Sequence, residues 1–271
     1  MTRLSFVIPC YNEREGISKL LLALEETRLA LGPEYQLELV LVDDGSTDGT
    51  GEALQAATNP RDVPTRLIQH ARNQGLGAAL RTGFAHVSGD LVATADSDCT
   101  YDPRELVNMV RLLTPAVDVV VASPYHPKGG VRNVPGYRLL LSRNLSRLYN
   151  WVTGADLYTY TGLFRLYRAQ VIRTVTFESD GFLSMAQIIV GAFLAGFRIV
   201  EYPTCLTVRE YGESKAMIAR LIGDHLRFIY RLVRQRHVPS VTRPSERPVE
   251  HVPLDLADAP ATPIVHSRAE K

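Results

Sequence analysis

Apolar residues along this chain alternate between two periods. Short runs such as Leu4-Ser5-Phe6-Val7-Ile8, Leu37-Glu38-Leu39-Val40-Leu41-Val42 and Leu91-Val92-Ala93 read as buried strands. Between the first two, Ile17, Leu20, Leu21 and Leu24 recur at helical spacing, predicting a helix from Ile17 to about Leu31 that Gly32-Pro33 ends. The alternation continues with a helix at about Thr50 to Ala57, a strand near Arg66 to Gln69 and a helix from about Gly77 to Val87. Strand and helix in turn, within about forty residues per unit, predict a parallel sheet of the α/β class. Pro9 is expected to stop the first strand. The longest apolar run, Ile188 to Ala195, is far short of the roughly 20 residues that span a bilayer and reads as a core helix.

In a parallel sheet the loops after successive strands meet on one edge, where ligands bind. Four polar segments belong there: Cys10-Tyr11-Asn12-Glu13, Asp43-Asp44-Gly45-Ser46-Thr47-Asp48-Gly49-Thr50, Asn73-Gln74-Gly75-Leu76-Gly77, and Thr94 to Pro103 with its pair Asp96 and Asp98. Two carboxylates one residue apart at a strand end suit a hard cation, Mg²⁺ or Mn²⁺, with substrate phosphates as the remaining ligands. The ordinary alternative is a solvated acidic turn. Asp43 and Asp44 suit hydrogen bonds to a nucleobase or a ribose, or equally a turn in which Ser46 or Thr47 caps the next helix. The glycine turn at Gly75 and Gly77 leads into a helix N-terminus, which favours anions, but lacks the G-x-G-x-x-G spacing of a dinucleotide site.

Composition narrows the partners. The 271 residues include 30 Lys plus Arg against 29 Asp plus Glu, so no global basic field argues for nucleic acid. Cys10, Cys99 and Cys205 form no metal-type pair and no even disulfide framework. The opening residues enter a strand directly without a signal-peptide pattern, which predicts a cytoplasmic location. The histidines fall into no metal-ligand spacing and receive no role. From Lys215 to His237, Ile218, Leu221, Ile222, Leu226, Ile229 and Val233 lie on one helical side among arginines. Such a helix suits either an anionic membrane surface or a packed face. Beyond Pro239 periodicity is lost and proline accumulates, predicting disorder.

The four polar segments, in order and spacing, resemble the inverting family-two glycosyltransferases of GT-A fold. Within them, residues 4 to 216 resemble the dolichyl- or polyprenyl-phosphate mannose synthase branch. Arg209-Glu210-Tyr211-Gly212-Glu213-Ser214-Lys215 matches its R-x-x-G-x-S-K signature, and Gly162-Leu163-Phe164-Arg165 approximates its Gly-Phe-Arg segment. The resemblance implies a nucleotide-sugar donor held by Pro9, Tyr11, Glu13, Asp44, Asn73 and Asp96, and a metal at Asp96 and Asp98. It implies further that Arg209 and Lys215 act with Asp98 in catalysis, and that Arg132, Arg138 and Arg165 take the phosphate of a polyprenyl-phosphate acceptor at a membrane surface.

Three positions depart from the pattern. Thr100 stands where the family commonly has Gln, Leu163 interrupts Gly-Phe-Arg, and Gln187 stands where related enzymes need a carboxylate base. A phosphate acceptor is already anionic near neutral pH and needs no base. The implied organisation is a GT-A domain at 1–215, a basic amphipathic helix at 216–238 and a Pro-rich tail at 239–271. A glycosyltransferase with a soluble acceptor and a non-catalytic nucleotide-sugar-binding scaffold are the competing readings.

Overall fold

The computed structural model describes residues 1–57, 63–207 and 215–236, with side chains over 220–234 in the last segment. The strands are β1 (Thr2–Cys10), β2 (Tyr35–Asp43), β3 (Thr65–Gln69), β4 (Leu91–Thr94), β5 (Val119–Ser123), β6 (Gly130–Arg132), β7 (Arg165–Arg168), β8 (Ile199–Pro203) and β9 (Cys205–Thr207). The helices are α1 (Ile17–Leu31), α2 (Thr50–Ala57), α3 (Leu76–Phe84), α4 (Leu106–Leu112), α5 (Gly136–Thr153), α6 (Ala169–Thr174), α7 (Leu183–Leu194) and α8 (Lys215–Arg236).

Seven strands form one sheet in the order β3-β2-β1-β4-β7-β5-β8. All neighbours are parallel except β7, which runs against β4 and β5. β6 and β9 form a separate parallel pair. The register Leu4↔Leu37 to Ile8↔Leu41 explains the unbroken apolar runs, because both sheet faces are covered. Leu4, Phe6 and Ile8 pack with Leu20 and Leu24 of α1, Leu54 of α2, and Leu106 and Met109 of α4. Val7, Val40 and Val42 lie on the other face with Ala79 and Leu80 of α3, Tyr149 and Val152 of α5, Ile188 and Ile189 of α7, and Ile229 and Leu232 of α8.

The α/β architecture and the core helix at α7 agree with the sequence. Three details do not. β1 continues through Pro9 to Cys10, pairing Pro9 with Val42. Its pairing with β4 has already ended at Val7↔Thr94, so the missing proline N–H interrupts no ladder on that side. α3 stops at Phe84, three residues before the expected end. The apolar residues of α8 divide between two sides: Ile229 and Leu232 are buried, whereas Ile222, Leu226 and Tyr230 are exposed. The tail at 239–271 lies outside the described residues.

Candidate active site

The loops after β1 and β2 are stitched together by side chains acting on backbone. Asn12 N–H donates to Ser46 Oγ at 3.0 Å, Thr47 N–H to Asn12 Oδ1 at 2.9 Å, and Glu13 N–H to Thr50 Oγ1 at 2.8 Å. Asn12 adopts φ 52°, a left-handed conformation that asparagine tolerates better than most residues. Pro9 is buried, Glu13 half-buried and Tyr11 46% exposed, so the aromatic ring is open to a ligand above the β1 edge. The start of α2 is held by Asp48, not by Ser46 or Thr47. Its Oδ1 accepts from Thr50 N–H at 2.9 Å and from Thr50 Oγ1 at 2.6 Å, and these bonds lower its pKa.

Asp44, 3% exposed, builds the neighbouring loop. Oδ1 accepts from Gln74 N–H at 2.9 Å and meets His70 Nδ1 at 2.7 Å, while Oδ2 accepts from Gly75 N–H at 2.8 Å. Three of the roughly four acceptor positions of a carboxylate are therefore taken internally. Gly45, at φ +71°, lies so close to this loop that a Cβ there would sit 2.2 Å from the Arg72 carbonyl carbon. Asn73, beside Gln74, is exposed.

Asp96 and Asp98 lie just past β4, on the same edge. Cys99 turns the chain with φ 55°, and Thr100 N–H donates to Asp98 Oδ1 at 2.8 Å while its hydroxyl bonds Oδ2. Thr100, one of the departures from the family pattern, thus orients Asp98. Burial and then the Asp98 charge push Asp96 up to about 7, with a smaller push from Glu13 and an opposing pull from Arg165. Among the described residues no three His, Cys, Asp or Glu side chains gather as a cation site. Two crowded carboxylates still fit a hard divalent cation, which relieves their repulsion and takes its other oxygens from phosphates and water.

The predicted acceptor cations are placed unequally. Arg132 is exposed on β6, opposite Thr207 of β9, and Thr207 N–H donates to Thr100 O at 3.2 Å, tying that pair to the Asp98 loop. Arg138 is half-buried in the first turn of α5. Arg165 departs from the sequence reading. It has no exposed surface, and its guanidinium donates to Met185 O at 2.8 Å and Tyr160 O at 2.7 Å. It points inward from β7, so it braces α7 and the preceding loop and offers no exposed guanidinium to an acceptor. Arg209 lies outside the described residues, as does the side chain of Lys215 at the start of α8.

Gln187, on α7, is also structural. Its Oε1 accepts from Ser179 N–H at 2.9 Å and Glu178 N–H at 3.3 Å. The segment it holds covers the start of α3, where Gly77 N–H donates to Asp180 O at 2.6 Å. Arg81 reinforces this through Ser179 O at 3.1 Å and the Asp180 carboxylate. The anion-favouring N-terminus read from Gly75 and Gly77 is therefore closed by the chain's own carbonyl.

Several residues that shape the site carry no sequence motif. His70 clamps Asp44, and half-buried Glu201 accepts from Tyr158 N–H at 2.8 Å and Thr159 N–H at 2.9 Å. Glu105 accepts from Thr204 Oγ1 beside the Asp98 loop. Buried His225 bonds Tyr149 Oη at 2.7 Å, joining α8 to α5. Their only sequence signal was a polar residue within or beside an apolar run.

The model of glycosyl transferase family 2 matches residues 5–176. A dolichol-phosphate mannosyltransferase of Pyrococcus furiosus is 29% identical over 235 residues, 86% of this chain and 64% of that protein's length. The glucosyl-3-phosphoglycerate synthase of Mycobacterium tuberculosis, solved with Mn²⁺, UDP and glucosyl-3-phosphoglycerate, superposes with a TM-score of 0.62 at 20% identity, over 87% of this chain and 80% of that one. A mannosyltransferase from Pyrobaculum calidifontis, solved with GDP-Man and Mn²⁺, gives 0.58 at 22% identity, over 86% and 64%. With its mostly parallel sheet and its polar loops on one edge, the chain has the GT-A fold and belongs to glycosyl transferase family 2.

Proposed function

We propose that this chain transfers a hexose from a nucleoside-diphosphate sugar to the phosphate of a polyprenyl or dolichyl lipid, with inversion at the anomeric carbon. The observation that carries the acceptor assignment is at α7. It contains no Asp or Glu, and the Gln187 oxygen is committed to two backbone amides. Glu178 and Asp180 nearby are 87% and 66% exposed and face Arg231 and Arg81. An alcohol acceptor needs a base to become a competent nucleophile, whereas a phosphate monoester oxygen is already charged.

In this reading Tyr11, with Pro9, Glu13 and the Asp44-held loop carrying Asn73, takes the nucleoside. Asp96 and Asp98 would hold Mg²⁺ or Mn²⁺, whose charge offsets that building on the leaving diphosphate. Thr100 fixes the Asp98 carboxylate in advance. Arg132, Arg138, Arg209 and Lys215 bind and orient the acceptor phosphate, Arg offering a planar fork that matches it. Positioning and electrostatics then lower the barrier without a covalent enzyme intermediate. Mannose is the first candidate sugar, on the likeness to a dolichol-phosphate mannosyltransferase, and glucose the second.

A lipid acceptor calls for peripheral membrane contact, from the cytoplasmic side. No described helix is long and apolar enough to cross a membrane. Paired helices α5 and α8 instead expose Trp151, Tyr137, Leu140, Leu226 and Tyr230, with Arg220, Arg227, Arg231 and Arg234 along α8. Exposed apolar and basic residues on such paired helices suit an anionic bilayer.

The deciding experiment follows radiolabelled sugar from GDP-mannose, UDP-glucose and UDP-N-acetylglucosamine, with Mn²⁺ or Mg²⁺, onto a short polyprenyl phosphate or onto soluble acceptors that include phosphoglycerate. Label in the lipid supports the proposal. Label only in a soluble product replaces it with the soluble-acceptor reading, and donor binding without transfer or hydrolysis replaces it with a binding scaffold.

A further inference from the structure

We infer that His70 is a positioning residue of the donor site, acting through Asp44. The inference rests on the donor-site reading above. His70 immediately follows β3, and its ring bridges the end of β2 to α3: Nδ1 meets Asp44 Oδ1 at 2.7 Å and Nε2 meets Thr82 Oγ1 at 2.9 Å. The His70 and Asp44 side chains are 8% and 4% exposed. A carboxylate only accepts, so Nδ1 carries a hydrogen and donates it. Thr82 fixes the other end of the ring, leaving that N–H one direction to point.

The ring determines which way the Asp44 carboxylate faces. Its two oxygens hold Gln74 N–H and Gly75 N–H, the residues that follow Asn73 in the loop flanking the donor pocket. Gly75 sits at φ +97°, and a Cβ there would lie 2.5 Å from Asp180 O, so the loop is confined from its far side as well. Two supports set this loop: a fixed carboxylate on one side and the Asp180 backbone on the other. His70 also lines a polar cavity with Gln55 and Gln69, so shortening its side chain admits water, which does not fix the carboxylate in direction. A loop left free to move must be ordered by the nucleotide, and that cost appears as weaker donor binding.

The test compares His70→Ala, His70→Asn and His70→Gln. The amide nitrogen of Asn reaches the place of Nδ1, and that of Gln the place of Nε2, so only Asn keeps the donor to Asp44. Binding of UDP and of GDP is measured by calorimetry with Mn²⁺, and donor and acceptor KM and kcat are measured in transfer. His70→Ala and His70→Gln are expected to weaken nucleotide binding and raise donor KM about tenfold, with acceptor KM unchanged and kcat within about threefold, while His70→Asn stays within about threefold of wild type. Where His70→Ala loses the fold, the Asn and Gln pair carries the decision.

Equal behaviour of Asn and Gln, unchanged binding in His70→Ala, or an equal loss on the acceptor side would overturn the inference. A wild type that binds nucleotide but moves no sugar defeats the transfer reading, and the binding series still decides on His70. A wild type that binds neither UDP nor GDP overturns both.

Discussion

Gly77 gives the sharpest test of how the 175–182 segment is seated. A Cβ built there lies 2.0 Å from Ser179 O and 2.9 Å from Ser184 Cβ, contacts that force the segment off α3. Displacement of this kind costs about 1–3 kcal/mol. Losing the 2.6 Å bond from Gly77 N–H to Asp180 O adds about 1 kcal/mol. Against this, Ala in place of Gly gains up to about 1 kcal/mol of helix propensity. Gly77→Ala is therefore expected to lose ~2 kcal/mol. Gly223, inside α8, has nothing within 4 Å of its Cβ position. Gly223→Ala keeps the propensity gain alone and is expected to stabilise by up to about 1 kcal/mol. Urea unfolding at constant slope measures both. If the two variants move in the same direction by the same amount, the packing of Ser179 and Asp180 on α3 is wrong.

Other expectations test other parts of the site. Arg165→Ala is expected to destabilise the fold by about 3 kcal/mol in urea unfolding, because it removes a buried cation bonded to two carbonyls; an unchanged midpoint would contradict this bracing role. Burial raises Glu105 and Glu201 to about 7 from an ordinary 4.5, so the folded chain holds more protons than the unfolded one between those values. Their contribution is full below about pH 4.5 and is lost as pH rises through about 7. Glu201→Gln should flatten that decline in pH-dependent unfolding, and an unaltered slope would refute the assignment. The exposed α5–α8 surface should bind phosphatidylserine vesicles in flotation, with binding that weakens as salt rises; no flotation at low salt removes the membrane contact.

Much of the architecture was legible because the strands are apolar on both faces and the helices on one. The Leu4–Ile8, Leu37–Val42 and Leu91–Ala93 runs became neighbouring strands, and the turn residues after them reached one edge. Asp96 and Asp98 could be located for the same reason. What the sequence hid was direction. Nothing in Gly-Leu-Phe-Arg says whether Arg165 faces a ligand or the core; that follows from β7 running antiparallel between β4 and β5 with α7 packed beside it. Asp44 reads as a ligand contact, and what the sequence does not show is that its carboxylate also serves the backbone of a loop thirty residues away; its partner His70 carries no local pattern at all. The α8 stripe misled differently, because a single helical face cannot show which of its residues meet a core and which remain outside.

The central claim is a metal-dependent inverting transfer centred on Asp96 and Asp98. The most direct measurement is NMR of the anomeric configuration of product formed by wild type in Mn²⁺, with turnover followed in parallel in EDTA and in Asp98→Asn. The expected result is an inverted product, with turnover lost in EDTA and in the variant. A product of retained configuration, or turnover undiminished by either change, would contradict it.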